Sequence, residues 1–247
     1  MRRHTQSGVT LMEMMISMVL LSFLSLGILF SMRVGLQAMD KANTRLMSNR
    51  RVIGAQRVLE QQIRGLMLVT ADCSANDGQS VSTRIPFFQG TPQVMRLVSS
   101  YSLEEASRGL PHILEFMIIP GAENVGVRLV VNEYLYTGPR STGSFCLGVG
   151  QDPMTGLSGP IFRPAEPRPT SFVLADKLAS CRFVYREYLN QQVPPIERWL
   201  PAWIKPEMPS AIRVEMTPLD SGPSSLHVMS VTLPVRVDKD PMKVYGD

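Results

Sequence analysis

From Val9 to Phe30 the chain reads VTLMEMMISMVLLSFLSLGILF, and no residue from Met14 through Met32 is charged. As one helix, a run of that length crosses the ~30 Å hydrocarbon core of a bilayer. Arg2 and Arg3 precede it, so the positive-inside rule puts the extreme N-terminus in the cytoplasm and the rest of the chain outside. A secretory signal would be shorter and end in a small-x-small cleavage site. The SMRVGLQAMDK that follows offers none, so the hydrophobic segment is expected to stay.

One residue breaks the apolar run. Glu13 lies near its start, where an ionised carboxylate needs a partner; at the bilayer centre the cost reaches ~2.5–3.5 kcal/mol, and near the interface it is less. A plain anchor has no use for such a group.

The stretch SGVTLMEMMISMVLL resembles the class III signal of type IV pilins and type II secretion pseudopilins: a short basic leader, a glycine, then a hydrophobic helix with glutamate at its fifth position. Gly8 and Glu13 stand in those places, while Val9 replaces the phenylalanine that is usual after the glycine. The resemblance implies that residues 1–8 are a leader and that a prepilin peptidase cuts between Gly8 and Val9 and methylates the new amine of Val9. It also implies that Glu13 pairs with an N-terminal amine as a filament grows, residues 9–32 forming the transmembrane and filament-core helix.

No proline occurs between Phe30 and Pro86, and apolar residues recur at Met39, Ala42, Leu46, Ile53, Leu59, Ile63 and Leu66. Those spacings, three, four or seven except for the six between Ile53 and Leu59, make one helical stripe, so an amphipathic helix over 33–69 is expected to continue the anchor. At ~1.5 Å per residue the whole helix would be roughly 90 Å long, its second half laid on a sheet.

Residues 70–247 read as a β-rich domain. Period-two alternation marks strands in VGVRLVVNEYLY, CRFVYREYL, AIRVEM and HVMSVTLPVRV, with shorter candidates at Val94–Val98 and Ile113–Ile119. The stretch 137–169 is crowded with glycine and proline and is expected to be a long loop at the sheet's margin. The fold class that follows is α+β: a long N-terminal helix on a mainly antiparallel sheet, as in a pilin.

The last seventy residues or so resemble the J-type minor pseudopilin of type II secretion. The features are Phe183 and Tyr185 in one strand, Trp199 and Trp203, Pro209 before a strand with Ile212 and Val214, and Leu233–Pro234 at the close. This implies a non-catalytic subunit that initiates or caps a periplasmic pseudopilus beside I-type and K-type minor pseudopilins, anchored in the inner membrane with its domain in the periplasm. The W-like minor pilins of type IV pili are the close competitor, and a membrane-anchored binding module with no filament role is the third reading. Trp199 and Trp203 suit either a contact with a partner pilin or closure of one end of the core.

The three cysteines, Cys73, Cys146 and Cys181, all follow the apolar segment, where an exported domain meets an oxidising compartment. One disulfide plus one free thiol is the simplest arithmetic, with the pairing open. No C-x-x-C is present, and the cluster Asp72, Asn76, Asp77 and Ser80 lacks EF-hand spacing, so no metal and no cofactor is expected. Neither a phosphate-binding glycine loop nor H-E-x-x-H nor G-x-S-x-G occurs, which gives an enzyme nothing to work with. Lysine and arginine total 25 against 21 acids, 23 once Arg2 and Arg3 leave, and no basic block is long enough to track nucleic acid.

Overall fold

The structure, a computed structural model, describes residues 10–74, 82–151, 158–189, 196–205, 207–219 and 229–235; the side chains of 44–52, 74, 82, 151, 158–159, 189 and 229 are outside that description. The chain divides into two compact units, Met1–Ser48 and Asn49–Asp247.

The helix α1 spans Leu11–Arg64. It is followed by β1 (Leu66–Met67), β2 (Thr70–Ser74), β3 (Ser82–Pro86), β4 (Gln89–Gly90), β5 (Val94–Tyr101), β6 (Arg108–Pro120) and β7 (Val127–Leu135). A short helix α2 (Pro139–Gly143) leads to β8 (Cys146–Gln151), β9 (Ser158–Phe162), β10 (Phe172–Leu189), β11 (Ile196–Leu200), β12 (Ala211–Pro218) and β13 (Met229–Pro234). The main sheet runs β1-β5-β6-β7-β10-β12-β13, with β4 added to β5 and β11 to β10. Every pairing is antiparallel, and β2–β3 and β8–β9 form two separate hairpins. A long N-terminal apolar helix followed by a mainly antiparallel sheet is the α+β arrangement read from the sequence.

Within the second unit, one face of the sheet packs on the end of α1. Leu59 and Ile63, with Leu66 just beyond, join Met95 and Leu97 of β5, Leu114 and Phe116 of β6, Leu129 and Val131 of β7, Phe183 and Tyr185 of β10, Ile212 and Val214 of β12, and Val231 and Leu233 of β13. The stripe expected over 33–69 packs only in part: Ile53 and Met39 are exposed, and among the described side chains Ala55 is the first that is buried. The helix also stops short of 69. A Cβ on Gly65 would lie 2.6 Å from the Tyr101 ring, and the Gly65 carbonyl accepts from Ser100 N–H at 2.8 Å, so close approach to β5 draws the backbone out of the helix.

The second departure concerns 137–169. It is not one loop but α2, β8 and β9 followed by an irregular strap, and it lies over the other face of β5–β7 rather than at the margin. Pro139 opens α2, where a missing N–H costs nothing. Gly148, at φ 146°, takes the bulge at which β8 slips against β9. Glycine and proline therefore shape a short hairpin here, which composition alone presents as loop.

This cover and the β2–β3 hairpin form a second core from Val69, Ala71, Cys73, Phe87, Phe145, Val98 and Ile113. A polar seam runs through it. Arg96, fully buried on β5, donates through Nε to Glu115 at 2.6 Å, through Nη1 to Gln89, and through Nη2 to the carbonyl of Arg163 at 2.8 Å. Glu115 accepts from Asn132 Nδ2 at 2.8 Å, and Asn132 Nδ2 also donates to the carbonyl of Glu166 at 2.9 Å. Burial lowers the Arg96 pKa from its ordinary value, and Glu115 opposes that shift. The strap 163–171 is thus tied to the sheet by hydrogen bonds rather than by a ladder.

Candidate functional site

The candidate site is the start of α1, and its geometry begins with a cap. Thr10 precedes the first helical residue; its carbonyl accepts from Glu13 N–H at 3.1 Å and its Oγ1 lies 3.3 Å from the same N–H. Threonine at the cap with glutamate three positions on is the capping-box spacing, a signal already present in the letters TLME and missed in the sequence reading. It also gives Glu13 a local role, since a negative charge in the first turn of a helix complements the exposed N–H groups.

From that turn as far as Met32 the helix carries no further charge. Leu11–Asn43 is long and apolar enough to cross a membrane, and none of its most apolar window is buried within the protein. Phe23, Phe30, Leu21 and Leu29 are each more than three-fifths exposed. The polar side chains in this stretch look after themselves: Ser17 donates to Glu13 O at 2.7 Å, Ser22 to Met18 O at 2.8 Å and Ser25 to Leu21 O at 2.8 Å. Each hydroxyl is satisfied within its own turn, so these serines fit a lipid or protein environment at low cost.

Glu13 differs from them. Among the described residues no cation and no hydrogen-bond donor meets its carboxylate. A carboxylate on an apolar helix needs a partner where it enters the bilayer. Gly8 and Val9, where the cut is expected, lie outside the described residues.

The structure separates the two tryptophans. Trp203 is buried, its backbone N–H donates to Gly90 O at 2.7 Å, and its indole N–H donates to Glu207 O at 2.6 Å, so it closes one end of the core beside Tyr185. Trp199 lies on β11, its ring covered by the Arg213 guanidinium at 3.7 Å. Cys73 bonds Cys146, leaving Cys181 as a free, half-buried thiol pushed up to about 12 by burial. At neutral pH Cys181 is therefore protonated and a poor nucleophile or ligand. Asp72 pairs with Arg84 at 3.1 Å, while Asn76, Asp77 and Ser80 lie outside the described residues. His112, on β6, stands 3.5 Å from Glu133, and His227 lies outside the described residues.

No curated protein matches this chain. Residues 3–29 match the family described as the prokaryotic N-terminal methylation motif. That match takes in Arg3, Gly8, Val9 and Glu13 together. With its capped apolar helix and antiparallel sheet, the chain is type IV prepilin-like, which implies processing by a prepilin peptidase and assembly with other pilins.

Proposed function

We propose that this chain is a minor pseudopilin, a non-catalytic subunit that starts or caps a periplasmic pseudopilus in type II protein secretion. The observation that carries the filament part is Glu13: a carboxylate with no partner among the described residues, on a helix with no other charge through Met32, inside a prepilin-type segment. The first unit sits in the inner membrane, and the domain from Asn49 onward stands in the periplasm. Its partners are the prepilin peptidase and I-type and K-type minor pseudopilins. The support for a J-type subunit is the resemblance of the C-terminal strands, which fall together as β10, β11, β12 and β13 at one end of the sheet.

A second reading, a W-like minor pilin priming a type IV pilus for adhesion, motility or DNA uptake, is favoured by one observation. The cover, made of the β2–β3 hairpin and the segment 137–169, lies in the part of the chain that carries no pseudopilin-like motif.

The first test is the N-terminal mass of the membrane-extracted protein with and without the peptidase. The expected result is a peptidase-dependent start at N-methylated Val9; an intact Met1 or a cut beyond Phe30 overturns the filament role. Glu13→Ala is expected to leave membrane insertion intact and reduce incorporation into filaments at least tenfold. Normal incorporation would support an anchored module instead. In a deletion strain, loss of secreted enzymes with pili retained supports the pseudopilus, and the reverse supports the pilus.

A further inference from the structure

Neither hairpin of the cover belongs to the main sheet. β2 pairs only with β3, and β8 only with β9. A lone two-stranded hairpin is marginal in water, so each needs other fastening. Three fastenings are present. One is the apolar cluster around Phe87 and Phe145, whose rings meet edge to face at 6.0 Å. Another is the set of backbone and side-chain hydrogen bonds that tie the strap and α2: Arg163 N–H to Phe145 O at 2.9 Å, Thr142 Oγ1 to Thr70 O at 2.9 Å, and the Arg96 and Asn132 contacts. The third is covalent, the Cys73–Cys146 bond between the two hairpins.

The two cysteines are not equally placed. Cys73 is buried at 1 % exposure, whereas Cys146 is half-buried at the start of β8 beside the bulge. Fit between the hairpins is tight at the same place: a Cβ on Gly143 of α2 would lie 2.3 Å from Asp72 O, next to Cys73. The disulfide thus lies where α2 and β2 approach most closely.

We propose that Cys146 is a thiol–disulfide exchange site and that the bond it makes with Cys73 locks the cover onto β5–β7. The co-reactant is an external disulfide, small or protein-borne. The Cys146 thiolate attacks one sulfur of that disulfide and expels the other as a thiolate. The Cys73 thiolate then attacks the Cys146 sulfur of the mixed disulfide and releases the second thiolate. Two cysteine thiols are oxidised, one external disulfide is reduced to two thiols, and the two protons leave with them. Before this exchange the cover is loose, while β10, β12 and β13, which no disulfide ties to it, are already formed. That this happens after export rests on the reading of the chain as an exported prepilin; the lock itself does not.

The test uses the full chain in detergent micelles, with backbone hydrogen exchange read by mass spectrometry. On reduction with dithiothreitol, exchange is expected to rise at least tenfold in 70–74, 82–86, 146–150 and 160–162, with β10, β12 and β13 unchanged. Unchanged protection in the cover overturns the lock, and loss of protection across all strands also overturns it, making the bond a staple of the whole domain. The order of attack is read with oxidised glutathione on single-cysteine chains, both carrying Cys181→Ser. Cys73→Ser is expected to form the mixed disulfide at Cys146 at least tenfold faster than Cys146→Ser forms it at Cys73. Equal rates overturn the assignment of Cys146. Because the dithiothreitol experiment starts from folded protein, it decides the lock even if a variant fails to fold, and neither measurement depends on the prepilin reading.

Discussion

The two halves of the main sheet share one face and differ at the other. On the helix side, β5–β7 and β10–β13 contribute to the same core. On the other side, β5–β7 lie under the cover, whereas β10–β13 present ion pairs such as Arg182–Glu215 and Arg186–Glu197. Burial follows: β5 has five consecutive buried residues and β6 another five, while β12 alternates. The same antiparallel ladder is thus dry on both faces at one end and on one face at the other. An arginine at an outer-face position means different things in the two halves: Arg96 is sealed in, and Arg182 is open to solvent.

The contrast can be broken most decisively at Arg96. Arg96→Ala leaves Glu115 buried without its cation and is expected to cost about 3–5 kcal/mol, measured by chemical unfolding in detergent. The double variant Arg96→Met/Glu115→Leu is expected to recover most of that loss. If Arg96→Ala costs less than about 1 kcal/mol, the covered face is no drier than the open one.

An intermediate effect is expected where the wet half has one buried charge. Glu187, 6 % exposed, takes hydrogen bonds from Lys205 and Arg198, and Lys205 first among these holds its carboxyl below the ordinary 4.5. Its pKa is lower folded than unfolded, so its contribution is complete above about 4.5 and fades as pH falls through the folded value. Stability of the Glu187→Gln chain is expected to lack that acid-side decline. Identical pH profiles for the two proteins would contradict the pairing.

The smallest effect belongs to Arg182→Ala, which removes the exposed pair with Glu215 and is expected to cost under about 1 kcal/mol, less in high salt. A cost approaching that of Arg96→Ala would mean that something covers the outer face of β10–β13.

The same difference decides what could be read from the letters. Alternation in AIRVEM and RFVYREYL announces strands because one face is wet, and β10 and β12 stand where those patterns fall. VMRLVSSY and RGLPHILEFMIIP read as short candidates because burial on both faces erases the period, and Arg96 and Glu115 interrupt the apolar run with charges that only the folded seam explains. The stretch 137–169 reads as loop because its strands hold Gly148, Gly150 and Pro160 and owe their order to Phe145, Phe162 and a bond 73 residues long. That span is worth on the order of 4 kcal/mol in loop-closure entropy, a contribution that leaves no local pattern. At the N-terminus the reverse holds: Thr10, Glu13 and the apolar run are local features, so helix start and candidate site were legible together, save for the cap itself.

β10 carries the seam between the halves and changes partner along its length. Phe172–Leu178 lie against β7 and Leu178–Arg186 against β12, with register slips and the left-handed Lys177 at the change of partner. Seen as a mechanical part, it is the keel of the domain. Tension passed between the halves loads its ladders in shear, many hydrogen bonds at once, instead of peeling a hairpin open bond by bond. A subunit pushed or pulled along with its neighbours would keep its shape by that strand, and would yield first at the slip beside Lys177.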